Sequence, residues 1–118
     1  MQLIFKDFET YLSVTCEGLW DPIDVTRAIQ EVKVQAERRQ LFRVFVDWGA
    51  VSDPSTDCSY KALAGEDVAR LLPPPFRVAV YDRRARINKV AEGTARGQGA
   101  HIMVHHDPLL LKDWLLAA

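Results

Sequence analysis

The sequence has few of the features that assign a protein to a class directly. Only two of its 118 residues are cysteines, Cys16 and Cys58, and they do not form a C-x-x-C pair. Small disulfide-dependent secreted domains usually carry more, so we interpret both as reduced thiols of a cytoplasmic protein. The chain does not begin with a basic stretch followed by an apolar one, and no apolar run approaches the roughly 20 residues of a membrane-spanning helix. We therefore expect neither a signal peptide nor a transmembrane segment.

The charge balance and the missing motifs narrow the function further. The formal net charge is −1, so the sequence predicts no nucleic-acid partner. It contains no G-x-G-x-x-G, G-x-x-x-x-G-K-[ST] or G-x-S-x-G pattern, which are typical of dinucleotide, nucleotide and hydrolase sites. The histidines do not suit one metal ion, because residues four apart on a strand, such as His101 and His105, are separated by about 13 Å. We predict no cofactor and no metal site.

The hydrophobic pattern of the chain indicates one globular domain. Its length, with 48% hydrophobic and 26% charged residues, is typical of such a domain. The first 17 residues alternate between apolar and polar positions, which predicts a two-stranded antiparallel hairpin. Short apolar runs rich in β-branched residues predict strands inside a parallel sheet, and these runs are residues 42–48, 78–81 and 102–104.

Helices are predicted between and after these strands. Apolar residues recur at helical spacing from Ile23 to about Gln40, and further helices are predicted over residues 54–72, 87–96 and 108–117. Aspartate followed by proline precedes three of these helices, at Asp21, Asp53 and Asp107, where aspartate caps a helix and proline suits its first position. The predicted order is β-β-α-β-α-β-α-β-α. This is a single α/β domain over residues 1–118, in which an N-terminal hairpin joins a mostly parallel sheet with packed helices.

Polar side chains follow the predicted parallel strands at their carboxyl ends, where open α/β sheets bind ligands. If the strands are neighbours, these groups form one site, and its arginines favour an anionic ligand. The alternative is that they are solvated loop residues, because loops lie on the surface by default. The candidate ligand-binding residues are Asp47, Asp82, Arg83, Arg84, Arg86, His105 and His106.

Residues 53–60 carry three hydroxyl groups where a strand is followed by a helix. They belong to Ser55, Thr56 and Ser59. A phosphate near a helix N-terminus is stabilised by the free amides and the helix dipole, so this position suits a phosphorylation switch. The same residue types are also the usual helix caps, so a plain capping segment is the alternative interpretation.

The chain resembles a known family around these hydroxyl groups. Val44-Phe45-Val46-Asp47 and then Asp57-Cys58-Ser59-Tyr60-Lys61-Ala62-Leu63 resemble the STAS domain of anti-sigma-factor antagonists, in which a strand ending in Asp is followed by Asp-Ser-Ser-Gly-Leu at the start of a helix. The resemblance implies a STAS-like fold with its phosphoacceptor at Ser59. The C-terminal third, with Arg96-Gly97-Gln98-Gly99 and Lys112-Asp113-Trp114-Leu115, is similar to bacterial STAS/SEC-fourteen-like small proteins, which are largely of unknown function.

Three functions remain open. The first, which we favour, is a non-catalytic interaction or regulatory module with a protein partner or self-association through a helix face or the hairpin edge. The second is a binder of a small anionic or lipid-like ligand, which predicts an apolar pocket with a few polar groups. The third is an enzyme that uses Asp47, Asp82 and either His105 or His106 at the strand ends.

Overall fold

The computed structural model describes residues 1–52 and 58–117, with Pro22 and residues 58–60 described by their backbone alone. Within these residues the predicted order β-β-α-β-α-β-α-β-α is confirmed. A short 3-10 turn, Arg84–Arg86, precedes the third helix. The strands are β1 (Gln2–Asp7), β2 (Leu12–Leu19), β3 (Arg43–Ser52), β4 (Arg77–Tyr81) and β5 (His101–His105), and the helices are α1 (Pro22–Arg39), α2 (Cys58–Leu71), α3 (Val90–Gly97) and α4 (Pro108–Leu116).

The five strands form one sheet in the order β1-β2-β3-β4-β5. β1 pairs antiparallel with β2, and the other neighbours pair parallel. Each crossover thus connects adjacent strands and advances in the same direction across the sheet. Because such crossovers are right-handed, α1, α2 and α3 pack on one face. The last helix, α4, follows the edge strand β5 and packs on the other face against β3, β4 and β5.

The alternation of side chains along the strands produces two cores. On the three-helix face, buried residues such as Val14, Val44 and Val78 pack with Val32 of α1 and Ala95 of α3. On the α4 face, a smaller cluster is formed by the fully or nearly fully buried residues Phe45, Ala79, Leu111 and Leu115. Successive side chains along each strand therefore point alternately toward the three-helix face and toward the α4 face.

Two of the predicted aspartate caps fix helix starts at the carboxyl end of the sheet. The Asp21 side chain accepts a hydrogen bond from the Ile23 amide at 2.9 Å. Likewise, the Asp107 side chain accepts from the Leu109 amide at 3.0 Å. Asp53, the third predicted cap, lies outside the described residues. These side chains satisfy amides that have no partner inside the helix, and so define where α1 and α4 begin.

Candidate functional site

An apolar cavity of about 170 Å³ lies between the sheet and the helices α1, α2 and α3. Its floor is formed by strand residues such as Val46, Val80 and Val104, and its walls by the three helices. Small side chains account for the space, because the inward residues that line it include Cys16 on β2 and one alanine on each helix. These alanines are Ala28, Ala64 and Ala91.

A close contact between α2 and α3 holds the cavity wall together. Gly65 of α2 is buried against α3, and a Cβ atom built on it would lie 2.5 Å from the Ala91 carbonyl oxygen. Real Cβ atoms do not approach a backbone oxygen so closely, so glycine is required for this helix spacing. The two helices are therefore packed backbone to backbone beside the cavity.

The polar residues of the cavity all lie at one end, the carboxyl end of the sheet. Glu92 is the buried charged residue among them, with 8% of its surface exposed. Its carboxylate accepts from the Val104 amide at 2.5 Å and lies 3.1 Å from the Lys89 ammonium. Both contacts satisfy the carboxylate, as a buried charge requires. The six polar lining residues are Lys61, Asp82, Arg86, Asn88, Lys89 and Glu92.

Arg86 ties the ends of β3 and β4 together. Its Nε and Nη2 atoms donate to Oδ1 of Asp82 at 3.0 and 2.6 Å. Nη2 also donates to the Trp48 carbonyl at 2.8 Å, and Nη1 donates to the Val51 carbonyl. β3 runs on to Ser52 although its pairing with β4 ends at Tyr81, so the guanidinium takes the place of the absent strand neighbour. Its donors are therefore engaged by the protein itself.

The other two predicted arginines lie outside the cavity. Arg83 is exposed, and its Nε donates to the Gly49 carbonyl at 2.9 Å. Arg84, in the short 3-10 turn, is also exposed. Of the three arginines predicted to bind an anion, only Arg86 lines the cavity.

Asp47 and the two histidines are separated from Asp82 by the sheet. Asp47 follows Phe45 of the α4 core by two residues and accepts from the Gly49 amide at 2.9 Å. His105 follows Met103 of the same core, and its Nδ1 accepts from the Asp107 amide at 3.0 Å. The rings of His105 and the exposed His106 stack at 4.4 Å between centroids. The predicted set therefore divides between two faces and does not form one site.

The predicted phosphoacceptors cannot be placed in the same way. Ser55 and Thr56 lie outside the described residues. Ser59 is the second residue of α2, and its side chain is likewise outside the described part. Phosphorylation at these hydroxyl groups stays a prediction.

Cys16 lines the cavity as a neutral thiol. Burial, assisted by the negative charge of Asp47, raises the pKa of this thiol from 9.0 to about 12. The thiolate is the nucleophilic form of cysteine, so a buried thiol with a raised pKa is inert. Cys16 therefore contributes a small apolar surface to the cavity.

Sequence reasoning missed most of the polar end of the cavity. Lys61, Asn88, Lys89 and Glu92 are not among the predicted ligand-binding residues, although Asn88 and Lys89 lie at the start of the helix predicted over residues 87–96. Asn88 does contact the helix start, since its Oδ1 accepts a hydrogen bond from the Val90 amide at 3.1 Å.

Among the described residues, no three His, Cys, Asp or Glu side chains are grouped to hold a metal ion. Within the same residues, no helix combines the length and apolar character needed to cross a membrane.

Comparison with known proteins establishes the fold. No protein-family model and no curated protein matches the chain. Among solved structures, it is similar to an uncharacterised protein of the DUF3478 family with a SpoIIAA-like fold, from Shewanella loihica PV-4. The two share 13% sequence identity with a TM-score of 0.60, over 97% of this chain and 92% of the other. The chain thus has a SpoIIAA-like, that is STAS-like, fold, as its sequence predicted.

Proposed function

We propose that this protein binds a small ligand with an apolar body in the cavity between the sheet and α1, α2 and α3. The observation that carries the proposal is the volume of about 170 Å³ with almost entirely apolar walls. An apolar cavity of roughly 150 Å³ is large enough to hold a benzene molecule. The ligand body is therefore expected to be a single ring or a short alkyl chain.

Burial of apolar surface supplies the driving force for such a ligand. The cavity is partly open to solvent, so a ligand body that enters it removes its own apolar surface and part of the cavity wall from water, at about 25 cal/mol per Å². The whole stability of a domain is only about 5–15 kcal/mol. A ligand that binds only the folded chain therefore raises its stability by a measurable fraction.

The polar end of the cavity sets the chemistry of the ligand head. Three cationic side chains, Lys61, Arg86 and Lys89, lie there with two anionic ones, Asp82 and Glu92. Because Arg86 and Asp82 already bind each other, they offer little to a ligand. Lys89 and Glu92 are likewise paired, so the preference rests on the net charge of +1 that these five side chains carry together, which favours a neutral or anionic head over a cationic one.

The test is thermal unfolding with hexanoate, octanoate, toluene and octylammonium as probes. At about 100 times its Kd, a probe adds roughly 2.7 kcal/mol, or about 10 °C in Tm for a chain of this length. We expect stabilisation by the anionic and neutral probes. Ala64→Leu narrows the cavity and should remove the effect, whereas Leu63→Phe, at the exposed neighbouring position, should preserve it. If no probe raises the Tm of the unmodified protein, the proposal is wrong.

A second function, the interaction or regulatory module, is favoured by exposed apolar residues at the same end of the domain. Thr26 of α1 donates to Asp67 of α2 at 2.6 Å, so these helices run side by side. One turn nearer their N-termini, Ile23 and Leu63 are 64% and 51% exposed, and Leu19 at the end of β2 is 60% exposed. Exposed apolar groups that cluster in this way are typical of protein-binding surfaces. A cytoplasmic location belongs to this same hypothesis.

Affinity capture from lysate, with phosphosite coverage of Ser55, Thr56 and Ser59, tests the second function. A genuine partner is expected in stoichiometric amount and should be lost when Ile23 and Leu63 are both changed to serine. Val34→Ser is the matched control, since Val34 is 48% exposed but lies in the middle of α1. A partner retained by the double variant would contradict this surface.

A further inference from the structure

The two edge strands of the sheet, β1 and β5, differ in how many of their outward backbone groups are hydrogen-bonded. At the β5 edge, side chains around α3 occupy three of the four outward backbone groups of Ile102 and Val104. The Glu92 carboxylate accepts from the Val104 amide, the Lys89 ammonium donates to the Val104 carbonyl, and Arg96 Nε donates to the Ile102 carbonyl at 2.7 Å. At the other edge, no hydrogen bond within residues 1–52 and 58–117 reaches the outward backbone groups of β1.

The hairpin fixes which groups of β1 point outward. The Phe8 amide donates to the Tyr11 carbonyl at 3.0 Å, which makes these residues a hydrogen-bonded pair of the antiparallel ladder. Such pairs alternate, so Lys6, Ile4 and Gln2 direct their backbone groups toward β2. The residues between them, Leu3, Phe5 and Asp7, direct an amide and a carbonyl each toward the open edge.

We propose that two copies of this chain pair antiparallel through β1, with Phe5 on the two-fold axis, to form a continuous sheet across the dimer. In this register Leu3 lies opposite the partner's Asp7, and Phe5 lies opposite the partner's Phe5. All three outward-facing residues of each copy are then hydrogen-bonded. Registers shifted by two residues use fewer of them, so this one satisfies the edge best.

The arrangement of charge along α1 fits the same two-fold pairing. Asp24, near the start of α1, lies 3.7 Å from the N-terminal amine of Met1, and Arg39, at its end, is 2.5 Å from the Asp7 carboxylate. The helix thus borders β1; its first turn is acidic through Asp24, and its last turn carries two cations, Arg38 and Arg39, of which Asp7 neutralises one. An antiparallel partner brings the acidic start of one α1 toward the basic end of the other. This complementarity favours a second copy over an unrelated strand.

A pair of substitutions at Ile4 tests the register. Ile4 is 45% exposed, and in the dimer it lies opposite the partner's Lys6 on the solvent face. Ile4→Lys places like charges opposite each other twice, whereas Ile4→Glu places opposite charges there. Since cross-strand pairs contribute about 0.2–1 kcal/mol each, we expect the dimer Kd to rise roughly 2- to 30-fold for lysine and to fall for glutamate. Leu109→Lys, on the 72% exposed Leu109 of α4, should leave the Kd unchanged.

Sedimentation equilibrium measures the Kd, and amide hydrogen exchange checks the edge without any substitution. The amides of Leu3, Phe5 and Asp7 should gain protection as the protein concentration rises, while those of Ile4 and Lys6 are protected at every concentration. A chain that stays monomeric to roughly millimolar concentration overturns the proposal. A dimer whose Kd is the same in both Ile4 variants as in the unmodified protein also overturns it. Protection of these amides that appears only when another protein is added overturns it as well.

Discussion

Replacing Gly65 with alanine tests the helix packing beside the cavity. The added methyl group would lie 2.5 Å from the Ala91 carbonyl oxygen and 3.0 Å from the Thr94 Cβ atom. Neither of these atoms belongs to the free end of a side chain, so no rotamer change relieves the contact. α2 and α3 must move apart for the variant to fold.

The same substitution at Gly93 is the matched control. Gly93 also lies in a helix, α3, but a Cβ atom there meets no atom within 4 Å. Replacing an exposed helical glycine by alanine stabilises by about 0.5–1 kcal/mol through helix propensity. Overpacking costs about 1–3 kcal/mol, so Gly65→Ala should be destabilised by roughly 0.5–2 kcal/mol once the propensity gain is subtracted. The two variants should therefore change stability in opposite directions.

Chemical denaturation in urea measures both changes. Since ΔG falls by about 1–3 kcal/mol per molar urea, Gly65→Ala should unfold at a midpoint lower by roughly 0.3–1 M with an unchanged slope. By thermal unfolding, its Tm should drop by about 2–8 °C, because the unfolding entropy of a chain this long corresponds to about 4 °C per kcal/mol. If Gly65→Ala proves as stable as Gly93→Ala, the described contact between α2 and α3 is refuted.

Two further predictions concern Arg86 and Cys16. Arg86→Ala leaves two β3 carbonyls without this donor and removes the cation beside the Asp82 carboxylate, which keeps only the Arg83 amide, so we expect a loss of about 2–4 kcal/mol by urea denaturation. Arg84→Ala, at an exposed position, should change stability by less than about 0.5 kcal/mol, and equal losses in both variants would contradict the assigned role. Folding raises the pKa of the Cys16 thiol from 9.0 to about 12, so above pH 9 the unfolded chain loses a proton that the folded chain still holds. The contribution of Cys16 to the free energy of unfolding is therefore complete below pH 9 and is lost as the pH rises through 12. The stability advantage over Cys16→Ala should therefore narrow by up to about 4 kcal/mol across this range, and an advantage independent of pH would show that the thiol does not titrate in this way.

Local sequence rules anticipated the elements well but not all of their ends. The first predicted parallel strand ended at residue 48, where the apolar run stops, whereas β3 continues to Ser52. The extension exists because β2 is long enough to pair with it, as in the pairing of Leu19 with Ser52. Similarly, α3 begins at Val90 rather than at residue 87, since Lys89 has a left-handed φ of 64°. Both ends depend on contacts with partners distant in the sequence or on a backbone conformation that side-chain periodicity does not encode.

The candidate site was less predictable than the fold, for a physical reason. The sequence indicated that acids and arginines follow the strands, and Asp82 and Arg86 do meet at the cavity. It did not indicate that Arg86 donates its hydrogen bonds to the carbonyls of the last residues of β3, because the sequence did not predict that β3 extends to Ser52. The cavity exists because the side chains between the sheet and the three helices do not fill the space there. Its volume depends on the distance between the helices, as at the Gly65 contact, and no sequence pattern encodes that distance.

The covered edge at β5 also determines how far this chain can assemble. A sheet with two open edges can add copies head to tail without limit, which is the geometry of a fibre. Here Glu92, Lys89 and Arg96 occupy most of the outward backbone groups of β5, so in the proposed dimer each copy presents only this covered edge. In that dimer, growth of the sheet ends at two copies. The three side chains around α3 would thus limit assembly through the sheet to a dimer.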